Sequence, residues 1–465
     1  MILYKNKSNI RSIFLYSFFY YRDMFSDFLL FFEPYQTAIA SLFFVFVVSA
    51  MIFEFVDKVL AMIISICIMM ILTIVSPHEL IEMIDFNTIF LLLGMMIVVE
   101  ITKESRLLSW MNIKIVQTTK GDPLILFFLF TLTTFTLSTF LSNATTMMVL
   151  VPLTIGITKS MGLDPKPYLL SEIIFSDIGG ALTLIGDPTN ILIGSANNFS
   201  FSDFIQNLWI PIFSISFVIF GVLLVKYWKY VKPIDKSVSK LFLNNLSLRK
   251  IEEEFKHKKI NKNFLISTAI TLSITVLALI FDPFGLPISY IAFFGGTIML
   301  LIATKYTDSH KVFHNVDWHM LLFFIGLFIH IGILEKVGAL EPITLILEGN
   351  FTTAFELSMV IMWVVGLLSG FVENIPLVAM MIPVLQPLLD SGVIVGNTEM
   401  VWYALSLGAC LGGNGSLIGS SANMIVAQTA EKMGVKITFW EYFKIGYPIT
   451  VLALTVASVF IYFVT

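Results

Sequence analysis

Charge is what this sequence has least of. Asp, Glu, Lys and Arg make up 13% of its 465 residues, about half the share of an ordinary soluble domain. Hydrophobic residues reach 57%, and mean hydropathy is +0.89. A chain with so little polar surface is not an ordinary water-soluble protein. Apolar runs of about 18 or more residues recur along it, each long enough to cross a bilayer as a helix. The expected class is an all-α polytopic membrane protein.

Cysteine is nearly absent too. Cys67 and Cys410 both fall in apolar segments, which argues against a disulfide framework and against a thiolate metal centre. The glycine clusters lack the lysine of a phosphate loop, so a nucleotide-driven pump would need a separate ATPase subunit. The formal charge of −4 says little by itself, and no nucleic-acid partner is expected. No cleavable signal peptide is evident, because Arg22, Asp23 and Asp27 interrupt the aromatic-rich start. The most telling absence is positional: no Lys or Arg lies within the crossing or hairpin cores. An anionic solute would depend on half-helix N-termini or on accompanying cations. Acids without bases favour a cation, a proton or a neutral solute.

What is present is polar backbone chemistry in apolar surroundings. The stretch Asp177-Ile-Gly-Gly-Ala-Leu-Thr-Leu-Ile-Gly-Asp-Pro-Thr-Asn190 has a later echo in Leu411-Gly-Gly-Asn-Gly-Ser-Leu-Ile-Gly-Ser-Ser-Ala-Asn423. Glycine weakens a helix and Pro188 removes a donor, so each stretch is a predicted helix break. Broken backbone persists at membrane depth only where protein or a watery cavity satisfies it. Paired breaks in two halves are a sequence pointer to a transporter's binding site.

The halves repeat. Asn143 and Asn374 are 231 positions apart, as are Pro152 and Pro383. Gly179, Gly186 and Asn190 each recur 233 positions on, as Gly412, Gly419 and Asn423. Constant spacing at that scale marks an internal duplication. Crossings are predicted near 35–53, 59–76, 85–101, 169–196 and 205–225, then near 263–281, 288–304, 317–334, 400–428 and 444–464. Units with polar middles at 123–160 and 351–390 are each two crossings or one re-entrant hairpin. Either choice gives each half an odd number of crossings and inverts the second. The expected fold is two inverted repeats of five transmembrane helices, each with a re-entrant hairpin and a broken helix. The domains are an N-terminal interfacial segment at 1–34, a first repeat at 35–225, a basic linker at 226–262 and a second repeat at 263–465. Placing the linker in the cytoplasm puts 23 of the 28 basic residues in loops on that side, as the positive-inside rule requires. The expected location is the plasma membrane.

Acids inside apolar segments default to functional candidates. Asp177 and Asp187 bracket the first break and Glu373 sits at the second hairpin tip, so these three are the candidate proton-coupling groups. Glu100 and Glu172 lie near segment ends, Glu100 beside Lys103, and Glu100 reads as interfacial. His319 and His330 read as packed or interfacial rather than as a relay. Candidate solute or ion ligands are Ser142, Asn143, Thr145, Thr183, Gly186, Asp187, Asn190, Glu373, Asn374, Asn414, Gly415, Ser416, Gly419 and Asn423. This oxygen-rich set suits a hard cation such as Na⁺, or a neutral hydroxide held by hydrogen bonds. No other metal and no cofactor is expected beyond H⁺ or Na⁺ as coupling ions.

Several stretches resemble the arsenite permease/Na⁺:H⁺ antiporter (ArsB/NhaD) branch of the ion transporter superfamily, most nearly its P-protein (pink-eyed dilution) permease clade. They are Phe140-Leu-Ser-Asn-Ala-Thr-Thr146, Asp177 to Asn190, Gly370-Phe-Val-Glu-Asn-Ile-Pro376 and Leu407 to Gly419, with Ile84-Asp-Phe and Val316-Asp-Trp. The resemblance implies inverted five-crossing repeats, a site between hairpin tips and helix breaks, elevator-like alternating access, and scaffold-mediated homodimers. The family's first hairpin usually carries an acid where this chain has Ser142, and its first break often carries Asn where this chain has Asp177. The acid looks relocated within one cavity rather than lost.

The expected function is secondary active transport of a small inorganic ion or hydroxide, by arsenite- or antimonite-type export or by Na⁺/H⁺ exchange, coupled to H⁺ or Na⁺. The alternatives are a citrate- or dicarboxylate-type anion transporter and a channel-like subunit serving a separate cytoplasmic ATPase.

Overall fold

The computed structural model describes residues 33–53, 55–108, 110, 111, 114, 118, 122–232, 261–281 and 286–464. Among them the chain is helical, with one isolated bridge between Thr353 and Val395 and no β-strand. Phe86–Glu104, Pro123–Phe140, Phe201–Val231, Lys262–Phe281, Trp318–Lys336 and Phe439–Val464 are long and apolar enough to cross a membrane. With shorter apolar helices between them, they make the chain a polytopic membrane protein. Residues 1–32 of the expected interfacial segment and 233–260 of the expected linker lie outside the described residues.

The chain forms two compact units. The first runs to Asp85 and includes Leu322–Ile343. Its helices are α1 (Gln36–Phe53), α2 (Lys58–Ile71), α3 (Pro77–Glu82) and most of a later helix, Trp318–Lys336. Helix α2 starts where the Asp57 carboxylate accepts from the amides of Val59 and Leu60, at 3.0 and 3.1 Å. It ends at Ile71, five residues short of the expected crossing 59–76. Thr73 then adopts a left-handed φ of 55°, and a Ser76/Glu79 capping box opens α3. His330 is buried and hydrogen-bonded to both the Gly326 carbonyl and the Ser65 hydroxyl, the packed state expected from sequence. Lys336 pairs with Glu79 at 2.6 Å, holding that exposed carboxyl down to about 2.

The second unit, Phe86–Leu321 with Thr344 onward, carries the paired polar stretches. Its helices are α4 (Phe86–Glu104), α5 (Pro123–Phe140), α6 (Asn143–Ser160), α7 (Lys166–Gly180), α8 (Pro188–Asn197), α9 (Phe201–Val231), α10 (Lys262–Phe281), α11 (Ile288–Ala303) and α12 (Ser309–His314). Helix α13 is Trp318–Lys336, which begins here. There follow α14 (Glu341–Asn350), α15 (Ala354–Ser369), α16 (Asn374–Asp390), α17 (Glu399–Gly413), α18 (Ser421–Lys432) and α19 (Phe439–Val464). The short helices α12 and α14 are additions to the predicted order.

Local chemistry sets the boundaries. Asp122 caps α5 ahead of Pro123, and Ser142 caps α6. A Ser200/Asp203 capping box starts α9. The expected polar middles are the turns between α5 and α6 and between α15 and α16. The expected breaks are residues 181–187, between α7 and α8, and 414–420, between α17 and α18. Helix α7 packs along α5, and α17 packs along α15. Both contacts need glycine. A Cβ on Gly179 would meet the Phe135 backbone, and one on Gly412 would lie 2.9 Å from Gly366 Cα. These backbone-to-backbone approaches are the small-residue packing that lipid-embedded helices use.

Candidate functional site

The turn between α5 and α6 places Asn143 at the head of α6, fully inside the second unit. One side-chain nitrogen serves two acids. Asn143 Nδ2 donates to Asp177 Oδ1 at 3.1 Å and to Asp187 Oδ2 at 3.0 Å. Its own carbonyl oxygen accepts from the Ser138 hydroxyl. Asp177 comes from the last turn of α7, whereas Asp187 is the N-cap of α8, so the amide links the two sides of the first break.

The two acids are held differently. Asp187 Oδ1 accepts from the Thr189 amide at 3.0 Å and the Thr189 hydroxyl at 2.7 Å, an N-cap role. Asn374 Nδ2, from the head of α16, reaches the same oxygen at 3.5 Å. Asp177 Oδ1 also accepts from the Ser420 hydroxyl at 3.3 Å, and its other oxygen is buried without a hydrogen-bond partner. The residues are 1% and 3% exposed, and among the described residues neither acid has an ion pair. Two carboxylates so close and so dry are strongly unfavourable unless positive charge compensates them. The arrangement is chemically suited to a proton or a small hard cation.

The other predicted residues divide into two groups. Asn190 and Asn423 fasten the breaks. Asn190 Nδ2 lies 3.3 Å from the carbonyls of Gly180 and Ala181 and 2.9 Å from that of Thr183. Asn423 Nδ2 donates to Gly413 and Ser416 at 2.9 and 3.0 Å. These carbonyls are ones an interrupted helix leaves without an intrahelical partner. Thr183 donates to the Thr139 carbonyl and accepts from the Gly186 amide, and Ser416 accepts from the Ile418 amide. Gly186 and Gly419 are required by space: a Cβ would lie 2.8 Å from the Ser138 carbonyl in one case and 2.7 Å from the Ser369 carbonyl in the other. Gly415 is nearly as tight, 3.0 Å from Gly370 Cα. Asn414 donates to the Ile174 carbonyl at 3.3 Å, with its Oδ1 buried and unpartnered.

Ser142 and Thr145 face elsewhere. They bond to each other at 2.9 Å and line a neighbouring cavity, so Ser142 makes no hydrogen bond to Asp177. Glu373 heads α16 half-buried and does not cap it. Glu172 is fully buried and accepts from Thr154 Oγ at 2.6 Å, apart from the Asn143 bridge. Glu100, expected to be interfacial, is only 6% exposed.

Ser138, Thr189, Ser420 and Cys410 belong to the same neighbourhood and were not among the candidates. Cys410 Sγ lies 3.3 Å from Thr189 Oγ. A sequence signal for two of them existed in the repeat. Ser420 is 233 positions after Asp187, and Cys410 is 233 after Asp177, the offset already seen for Gly179, Gly186 and Asn190.

A sequence profile of the citrate transporter family (CitMHS) matches residues 44–408. The human P protein is 31% identical over 92% of this chain, which spans 60% of that longer protein. The 46 kDa membrane protein of Mycobacterium leprae is 30% identical over 88% of this chain and 94% of its own length. An uncharacterized transporter of Mycobacterium tuberculosis, Rv2685, is 30% identical over 82% of this chain and 86% of its own. The profile covers well over half the chain, and the bacterial relatives align nearly end to end. The chain thus belongs to the CitMHS citrate transporter family, a family of membrane transporters rather than enzymes.

Proposed function

We propose that this transporter is a cation-coupled secondary transporter in which Asp177 and Asp187, bridged by Asn143, hold the coupling H⁺ or Na⁺. The observation that carries this reading is the single amide joining two buried carboxylates that have no basic partner among the described residues. One carboxylate pair can accept a proton or a cation but has little reason to hold both, and that competition is the elementary step of exchange. Na⁺/H⁺ exchange is the activity this geometry supports best. The matched family's description favours a second reading, in which the same cation drives movement of a citrate-type carboxylate. Arsenite-type export remains the reading tied to the ArsB/NhaD resemblance, with recognition of the neutral trihydroxide by hydroxyl and amide groups.

The proposal includes two inverted repeats moving as an elevator. The sides it assigns to the loops, though not the movement, are supported by the way loops meet in the second unit. Lys159 donates to the Met433 carbonyl at 2.6 Å and Lys166 pairs with Glu441 at 2.7 Å. Lys311 pairs with Glu104 at 2.8 Å. All six positions fall in or beside loops assigned to the cytoplasm. Ser289 meets Asn87 at 3.3 Å, both beside loops assigned to the outside.

Proteoliposome flux with a pH-sensitive dye tests the reading, with Na⁺, Li⁺, citrate and arsenite supplied in turn. Alkali-cation gradients should move protons, and Asp177→Asn should stop that movement. Solute flux indifferent to both Na⁺ and H⁺ gradients would dismiss cation coupling.

A further inference from the structure

A buried acid pair needs a route for its ions, and the second unit contains a candidate. A cavity of about 80 Å³ lies among α4, α6, α8 and the turn before α13. Its lining includes Asn315 and Asp317, both exposed, and Ser142 and Thr145 on the tip of the first hairpin. Glu100 and Lys103 of α4 line it too. So does Pro188, the residue after Asp187. The cavity therefore joins an exposed surface to the turn that presents Asn143.

Glu100 is the unexpected member. Its carboxylate accepts from Lys103 Nζ at 3.3 Å and from Asn315 Nδ2 at 2.8 Å. An ion pair serving only as an interfacial anchor has no need to be buried, since long side chains reach the headgroup region at small cost. Glu100 is instead enclosed by the protein, at 6% exposure, where desolvating an ion pair is expensive. A charge in a narrow passage with low-dielectric walls concentrates ions of the opposite sign. The passage carries two acids, Glu100 and Asp317, against one base, Lys103, which leaves it with one excess negative charge. The adjacent Lys311–Glu104 pair adds none.

We propose that Glu100, Lys103 and Asp317 form a charge filter on the cytoplasmic approach to the first hairpin tip, admitting small cations in preference to anions. The inference rests on the reading of the Asp177–Asp187 pair as a cation site and narrows it, since the same filter would disfavour a free citrate-type anion.

The test measures access rather than transport, so it stands apart from the flux assay. In a Cys67→Ser/Cys410→Ser background, Thr145→Cys is exposed from the cytoplasmic side to cationic and anionic methanethiosulfonates. Each rate is divided by that for a free thiol. The cationic reagent should be favoured about tenfold, the order expected for one net charge at close range. Glu100→Gln should bring the ratio near one, and Lys103→Gln should raise it. Asp317→Asn is the safeguard against misfolding at the buried position. Its side chain is exposed and accepts from the Met320 amide at 3.0 Å, and its loss should also lower the ratio. A ratio unmoved by Glu100→Gln and Asp317→Asn would overturn the filter. So would a Thr145→Cys that neither reagent modifies from that side.

Discussion

Asn143 has two amide hydrogens, and its single nitrogen lies within bonding distance of two carboxylates. Replacing it with Ala takes one donor from each acid, leaving Asp177 the Ser420 hydroxyl and Asp187 the Thr189 amide and hydroxyl, and a buried polar group left unsatisfied costs about 1–3 kcal/mol. Asn143→Ala should lower coupled flux by at least about tenfold while the protein still reaches the membrane. Asn374→Ala should be milder, because its 3.5 Å contact to Asp187 is at the outer limit of a hydrogen bond. Equal losses in the two variants would mean that Asn374 does something the observed bond does not describe. The acid that the resemblance suggested had moved from position 142 to 177 makes a sharper case. Ser142 bonds to Thr145 and opens on the charged cavity, while Asp177 bonds to Asn143 and Ser420. An acid placed at 142 should therefore not restore flux lost in Asp177→Asn, and substantial recovery in the double variant would show that the two positions share one compartment after all. The thiol offers a contrast. Cys410 occupies the position equivalent to Asp177 in the repeat yet carries no charge. Cys67→Ser/Cys410→Ser should keep transport, including any of arsenite, and loss of arsenite flux alone would reveal a thiolate contact.

At the level of elements, the breaks were the most legible part of the sequence and the short helices the least. Glycine, proline and asparagine at Gly179, Gly180, Gly186, Pro188 and Asn190 are residues a continuous helix disfavours, so their clustering in an apolar run had to mean an interruption. Helices α12 and α14, of six and ten residues, are too short for periodicity to declare them. Ser138 was hidden for another reason: nothing around it in the apolar helix α5 marks it out, and only the fold brings it to the Asn143 side-chain carbonyl. The closing geometry of the breaks gives a prediction that separates architecture from chemistry. Asn190→Ala removes donors from the carbonyls of Gly180, Ala181 and Thr183 and strands the Ser406 hydroxyl, which bonds to Asn190 Oδ1 at 2.6 Å. It should lower the melting temperature in detergent, by about 1–3 kcal/mol of stability, and leave the ion preference of the surviving flux unchanged. A changed Na⁺/Li⁺ preference at unchanged stability would instead make Asn190 an ion ligand.

For the molecule as a whole, the question is which loops share a side of the membrane. The positive-inside count and the odd number of crossings per half assign Lys166 and Glu441 to the cytoplasm and Asn198 to the outside. The second unit joins Lys166 to Glu441 directly, although the two are separated by 275 positions of sequence. Asn198 lies elsewhere, in a cavity of about 270 Å³ that it shares with Asn87 and Ser289. In a cysteine-free background, single cysteines at 164 and 434 should both react with an impermeant thiol reagent only after the cytoplasmic face is opened. A cysteine at 198 should react in intact cells. The positions suit the purpose, since Asp164 and Gly434 sit in turns next to the Lys166–Glu441 and Lys159–Met433 contacts rather than within them. The reason to expect this pattern is energetic. Each basic loop moved to the wrong side would carry its lysines outside against the orienting charge bias. If 164 and 198 label from the same side, the broken segment from 166 to 197 does not cross. The two breaks could then not face one another from inverted repeats, and the acid pair would have to be reached from one face alone.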